Sequence, residues 1–391
     1  MKSIQRSFIA SAAIIGVLLA SAGPIGSLGK PGLAEAAAPG CTDGDHGIFS
    51  GEPAGGGSFR FSTLDFLNPT TGRAAGNGFL IGTSDGGCNW QSIYQGTWQF
   101  SQMDFVSNTT GWALARSAAS GPNALIRTAD GGSTWEKLKP ETADLERIRF
   151  LDASRGFGYS RAFSYYTSDG GVSWSRIPTP PNTRGAEFSS RNTGWAIVVD
   201  PSKGYRLEQT LDGGKSWTTK LSAPSEEASG GVVRVSGQAV WAMLMGGAGM
   251  SQQSYSLYAS SDSGSTWIRT IGQNTAGGGH APGEGEAVTG MGPASPGGHP
   301  GELKLIGATA ILSGYSPAAG KVGIGRSPDG GRTWSSGGML PGFGGAAISF
   351  ASPAIGWITV DGDSGTAVYS TKDSGKSWTK TIGVAAKPSL Q

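Results

Sequence analysis

From about residue 60 to the C-terminus, apolar residues come in runs of roughly four to seven, each cut off by Gly, Asn, Ser or Pro. Alternation or β-branched content inside the runs fits strands, and nothing after the N-terminal stretch shows a helical period. Between residues 101 and 139 the runs fall at about 101–106, 111–116, 124–128 and 134–139. This set of four recurs seven times, and every copy passes through one eight-residue turn: TSDGGCNW, TADGGSTW, TSDGGVSW, TLDGGKSW, SSDSGSTW, SPDGGRTW and TKDSGKSW. Its aspartates are Asp85, Asp130, Asp169, Asp212, Asp262, Asp329 and Asp373, separated by as few as 39 residues (Asp130 to Asp169) and as many as 67 (Asp262 to Asp329). A period of that order is the length of one small antiparallel sheet.

A second signature opens most copies: an apolar run, a polar turn and then Gly-Trp, as in MDFVSNTTGWALA from Met103 and ISFASPAIGWITV from Ile348. The sixth copy is degenerate, and LKLIGATAIL from Leu303 fits it best. Seven four-stranded antiparallel sheets in series, none able to bury both faces alone, predict an all-β fold, a seven-bladed β-propeller. A straight stack is the alternative, but a near-constant period without end caps favours the ring. The expected blades cover about 60–95, 98–140, 145–178, 184–222, 231–272, 302–337 and 345–384, with a Gly/Pro-rich insertion at 273–301 and a tail at 385–391.

The repeated turn reads as a structural knot. Its Asp and Ser/Thr side chains can accept hydrogen bonds from free backbone N–H groups, and its glycines take backbone angles that other residues resist. Trp90, Trp135, Trp174, Trp217, Trp267, Trp334 and Trp378 then begin the outer strand and offer apolar area for packing. Seven such turns at sheet spacing do not read as seven active sites.

The first 36 residues change the picture of where the chain works. Lys2 and Arg6 precede an apolar run from Phe8 to Ala22, followed by small residues around Ala36, which reads as a secretory signal peptide. Residues 37–59 then form an N-terminal extension, and the expected destination is secreted or cell-surface. An uncleaved signal or a lipidated Cys41 would be the link to a membrane. Removing 1–36 takes away Lys2, Arg6, Lys30 and Glu35 and brings the formal charge from +2 to zero, so nothing draws the chain to nucleic acid. Cys41 and Cys88 are the two cysteines, and export makes a disulfide between them the expected state.

The turn pattern S/T-x-D-G/S-G-x-S/T-W is similar to the Asp-box, or BNR repeat, of sialidase, sortilin and xyloglucanase propellers. Its pairing with the Phe…Gly-Trp signature resembles the photosystem II assembly-factor type. That resemblance covers roughly residues 60–384 and implies a non-enzymatic scaffold outside the cytoplasm. The sequence departs from the pattern at Arg73, where other copies have Trp, at Phe157, and at Trp241, which lacks the preceding Gly.

Two functional classes compete. A glycoside hydrolase, sialidase- or xyloglucanase-like, would use Asp65, Asp104 or Glu187, which hold equivalent places in three copies. Around the ring that position reads Asp65, Asp104, Arg149, Glu187, Arg234, Lys304 and Ser349, a mixed-sign set better suited to ion pairs. The stretch SRIP from Ser175 looks like a sialidase arginine motif but falls on an outer strand. The binding class rests on arginines: seven of 17 lie between residues 147 and 191. Arg147, Arg149, Arg155, Arg161, Arg184 and Arg191 are the candidate binding residues for a protein or an extracellular, cell-envelope polymer. His46, His280 and His299 lie in glycine-rich loops without ligand spacing, so neither metal nor other cofactor is expected. The reading is a monomeric, non-enzymatic scaffold.

Overall fold

The computed structural model describes residues 44–53, 58–117, 121–138, 145–283, 285 and 298–385. The expected signal peptide, Cys41, residues 286–297 of the insertion and the tail from 386 lie outside the described residues. The apolar runs become strands: among the described residues there are twenty-seven, and no helix. Every strand pairing is antiparallel, between runs that follow one another closely in sequence.

The strands form six sheets, so the molecule is a β-propeller of six blades and not the seven expected. The first sheet is six-stranded, four are built on the expected four strands, and the fifth carries an additional short strand, Leu340–Pro341. Two sequence repeats have merged in the first sheet. The strand Gln91–Phe105 runs unbroken for 15 residues. Its first part pairs with Gly72–Thr83 as the last strand of one repeat, and its second part pairs with Gly111–Arg116 as the first strand of the next. Gln99 pairs with both Asn77 and Arg116. The junction Thr97–Phe100 contains neither Gly nor Pro, whereas the junction after Ile177 begins PTPPN, so only there is the chain forced to break.

Each sheet packs on the next and the last packs on the first, giving a closed ring. The Phe…Gly-Trp signature builds these joints. A Cβ on Gly72, Gly111, Gly194 or Gly356 would lie 2.2–2.4 Å from the ring of Phe66, Phe105, Phe188 or Phe350, so glycine leaves the space that the phenylalanine fills. The following tryptophan crosses to the neighbouring repeat. Trp112 stacks on Phe150 with ring centroids 3.6 Å apart and its Nε1 donates to Gly170 O at 2.8 Å. Trp357 repeats this across the closing seam, stacking on Phe66 at 3.5 Å and donating to Gly86 O at 2.9 Å. Arg73 does the same work with different chemistry: its guanidinium lies 3.9 Å over the Phe105 ring and its Nε donates to Gly131 O at 2.9 Å. The departure at Arg73 therefore keeps both contacts of the tryptophan it replaces.

The seven aspartate turns share one geometry. In the second, Asp130 Oδ1 accepts from Thr128 Oγ1 (2.8 Å) and Thr134 N (2.9 Å), and Oδ2 accepts from Thr134 Oγ1 (2.6 Å). Thr128 Oγ1 in turn accepts from Gly132 N at 2.9 Å. Asp169, Asp212, Asp262, Asp329 and Asp373 make the same set, and Asp85 makes it with the Asn89 Nδ2 amide in place of the hydroxyl. Gly131 and Gly132 have φ of 78° and 104°, in the region open to glycine. Where the fifth and seventh turns have serine instead, Ser263 and Ser374 are held at 57° and 69°. The carboxylates are satisfied locally and do not converge. Asp130 is accordingly held at about 2 by its hydrogen bonds to Thr134 and Thr128.

The described part of the insertion is tied to the fourth sheet. Ser254 and Ser256 hydroxyls donate to the Gly278 and Pro282 carbonyls (2.7 and 2.5 Å), and Gly283 N–H donates to Pro224 O at 2.7 Å. Of the expected disulfide, Cys88 is bonded and Cys41 lies outside the described residues.

Candidate functional site: the charged channel

The innermost strands of all six sheets surround a cavity of about 760 Å³ along the ring axis. An innermost strand faces its neighbours at close quarters, and alternation points every second side chain into the opening. The position read from the repeats as Asp65, Asp104, Arg149, Glu187, Arg234, Lys304 and Ser349 lies on this wall in every case.

The wall is divided by charge. On the side of the first sheet, Asp65 Oδ2 accepts from Phe105 N at 2.6 Å and Asp104 Oδ2 accepts from Phe150 N. Ser349 Oγ accepts from Phe66 N at 3.0 Å and Glu302 Oε2 from Ile348 N at 3.0 Å. These side chains clip each innermost strand to the next. Burial pushes Asp65 up to about 6, against the pull of the Phe105 N–H, Lys304 and Arg73. Asp104 is pushed up to about 7 by burial and by the charge of Asp65, against the Phe150 N–H, Arg149 and Lys304.

The other side is cationic. Glu187, 3% exposed, is 2.7 Å from Arg147, 2.5 Å from Arg149 and 3.5 Å from Arg234. Burial alone would raise the Glu187 carboxyl, but these guanidiniums outweigh it and hold it below the ordinary carboxylate range. Arg234 is shifted downward by burial and by repulsion from Arg147. One carboxylate thus faces three guanidiniums, the four groups coming from three sheets. Arg147 is further fixed by the Ala186 carbonyl and lies 3.9 Å over the Tyr159 ring. At one end this wall opens into a second cavity of about 390 Å³, lined by Arg147, Arg161, Arg184 and Arg234.

The structure separates the six arginines singled out from the sequence. Arg147 and Arg149 line the channel, and Arg161 and Arg184 stand at its mouth with Arg147. Arg155 and Arg191 lie on turns after the innermost strands, at the opposite end of their antiparallel sheets. Arg155 is 2.6 Å from Asp152, and Arg191 lies 5.4 Å over the Tyr166 ring. Arg234 and Lys304 belong to the site but lie far along the chain from the arginine-rich stretch. Their repeat position was the signal for them. Of the three candidate catalytic carboxylates, Asp65 and Asp104 each commit an oxygen to a backbone N–H, and Glu187 is engaged by three guanidiniums. The SRIP arginine, Arg176, lies 3.6 Å over the Phe163 ring. Among the described residues no group of His, Cys, Asp or Glu could hold a metal ion.

Fold and site together define a β-propeller with a bipolar charged channel. In fold the chain is similar to YCF48 from Cyanidioschyzon merolae, with 15% identity, a TM-score of 0.50, and coverage of 80% of this chain and 93% of that one. It is similar also to YCF48 bound to D1 peptide (18% identity, TM-score 0.48, covering 80% and 89%) and to a prolyl endopeptidase (8%, 0.50, 84% and 50%). At these identities the likeness shows the propeller fold. No protein-family model and no curated protein matches the chain.

Proposed function

We propose that this chain is an exported binding scaffold that grips an acidic segment of a protein partner at the arginine-lined mouth of its channel, without chemistry of its own. The observation that carries this reading is the three guanidiniums of Arg147, Arg149 and Arg234 around the one carboxylate of Glu187. The surplus of positive charge faces a cavity open to solvent, and Arg161 and Arg184 extend it outward. Planar guanidiniums fixed by neighbouring contacts suit carboxylate recognition. The motif pairing that resembles assembly-factor propellers, and the N-terminal signal, support the same reading.

The test is capture of partners by the mature chain from its own cell envelope. Arg149→Glu together with Arg184→Glu should abolish capture of a protein partner, and raised salt should weaken it, because solvent-facing charge pairs are screened. Arg155→Glu, at the other end of the sheet, should leave capture intact. Recovery of a polysaccharide or other envelope polymer would redirect the reading. Capture indifferent to the Arg149 and Arg184 reversals would refute it.

A further inference from the structure

The ring closes without exchanging a strand. The first sheet comes from Phe61 to Lys137 and the last from Ile348 to Ala385, each from one contiguous stretch, so no backbone ladder among the described residues joins the two ends of the chain. Side chains cross this seam at Trp357, Ser349 and Thr366, and the segment 44–49 is the stretch of chain outside both sheets that bridges it. Gly383 N–H, on the outermost strand of the last sheet, donates to Gly44 O at 3.3 Å, and His46 Nε2 lies 3.3 Å from Thr381 O. From there the segment passes to the first sheet, where Gln95 Nε2 donates to Ile48 O at 3.4 Å.

Its anchors are apolar. Ile48 and Phe49 are each 8% exposed, and the Phe49 ring lies 5.0, 5.9 and 5.1 Å from those of Phe59, Phe61 and Phe79. The cluster they join also contains Trp357, Val368 and Ile382 of the last sheet. The aspartate turn that holds Cys88 presses on the same outer strand: a Cβ on Gly87 would lie 3.4 Å from the Thr381 side chain. Cys88 is in a disulfide, and the one other cysteine of the sequence, Cys41, precedes the segment by three residues.

We infer that residues 44–49 are the clasp of the propeller ring and that the Cys88 disulfide holds the clasp shut, so that reduction loosens the seam between last and first sheets before any other joint. This goes beyond the binding reading and does not depend on it. The reductant is a dithiol. One of its thiolates attacks the disulfide, the second displaces the mixed disulfide and the reagent leaves as a cyclic disulfide. Two electrons pass to the cysteines, each of which takes up a proton. Freed of that tie, the clasp is held by the three long hydrogen bonds above and the packing of Ile48 and Phe49, and local opening becomes easier.

Hydrogen exchange read by mass spectrometry on the full chain tests this, with and without a dithiol and with complete reduction verified by thiol titration. Reduction should speed exchange at Thr379–Ala385 and Phe61–Phe66 by about tenfold or more, and leave Gly194–Asp200 in the third sheet unchanged. Cys88→Ala should show the loosened seam whether or not the dithiol is present. Phe49→Ala, which keeps the disulfide and removes an anchor, should loosen the same amides. If Cys88→Ala fails to fold, the reduced wild-type chain decides the matter in its place. Seam amides exchanging at the oxidised rate after full reduction, or all six sheets loosening together, would overturn the inference.

Discussion

Trp357 is the residue on which closure of the ring can be measured. It is 1% exposed, lies nearly parallel to Phe66 at 5° with centroids 3.5 Å apart, and donates from Nε1 to Gly86 O. Trp357→Ala removes roughly 200 Å² of buried surface, worth about 5 kcal/mol at ~25 cal/mol per Å². That agrees with the ~3–5 kcal/mol typical of truncating a buried aromatic residue, and the lost hydrogen bond adds about 1 kcal/mol. Trp357→Phe keeps an aromatic ring in the space but leaves the Gly86 carbonyl without its donor, for a loss of about 1–2 kcal/mol. Trp112 has the same surroundings at the joint to the second sheet, with a 3.6 Å stack on Phe150 and a 2.8 Å bond to Gly170 O. Its truncation should cost the same to within about 1 kcal/mol. Equilibrium urea unfolding of the four proteins, with midpoint and slope both fitted, gives these differences. A loss below about 2 kcal/mol for either alanine variant, or a phenylalanine variant as damaged as the alanine one, would refute the argument that area and one hydrogen bond make the joint.

Further outcomes follow from individual residues. Asp104 has a folded pKa of about 7 against an ordinary 3.8, so the fold retains the proton that the unfolded chain releases, and this group favours folding less and less as pH rises. Asp104→Asn keeps an acceptor for Phe150 N–H, and its stability advantage over wild type should open between about pH 4 and 7 and stay level above, as thermal melts across that range would show. Asp130→Ala strips acceptors from Thr128 and Thr134 and should cost about 1.5–3 kcal/mol of stability to denaturant, with no effect on partner capture. Ser374→Gly relieves a φ of 69° and should raise stability by about 1 kcal/mol in the same unfolding assay. Arg73→Trp, which replaces a buried guanidinium with an unbonded Nη1 by the residue used elsewhere in the ring, should be neutral or stabilising in thermal melts, and a loss above about 2 kcal/mol would show that the site is shaped to arginine.

The strands, the turns and the channel wall were legible along the chain. Asp130 and its six equivalents bond to groups two and four residues away, so their geometry is local and readable in eight letters. Likewise the Phe…Gly spacing encodes a ring and the space it fills, and the repeat position of Asp65, Arg149 and Glu187 placed them on one inner wall. Whatever depends on how sheets meet was settled only in three dimensions. Seven repeats predicted seven blades, yet nothing local stopped the strand Gln91–Phe105 from continuing across a repeat boundary, and six sheets resulted. Arginines close in sequence were sent to opposite ends of antiparallel sheets, Arg155 away from Arg161, while Arg234 was brought within 3.5 Å of Glu187 from 47 residues away (187 to 234). A short turn reports its own hydrogen bonds; the charge balance of a channel is set only when six sheets close around it.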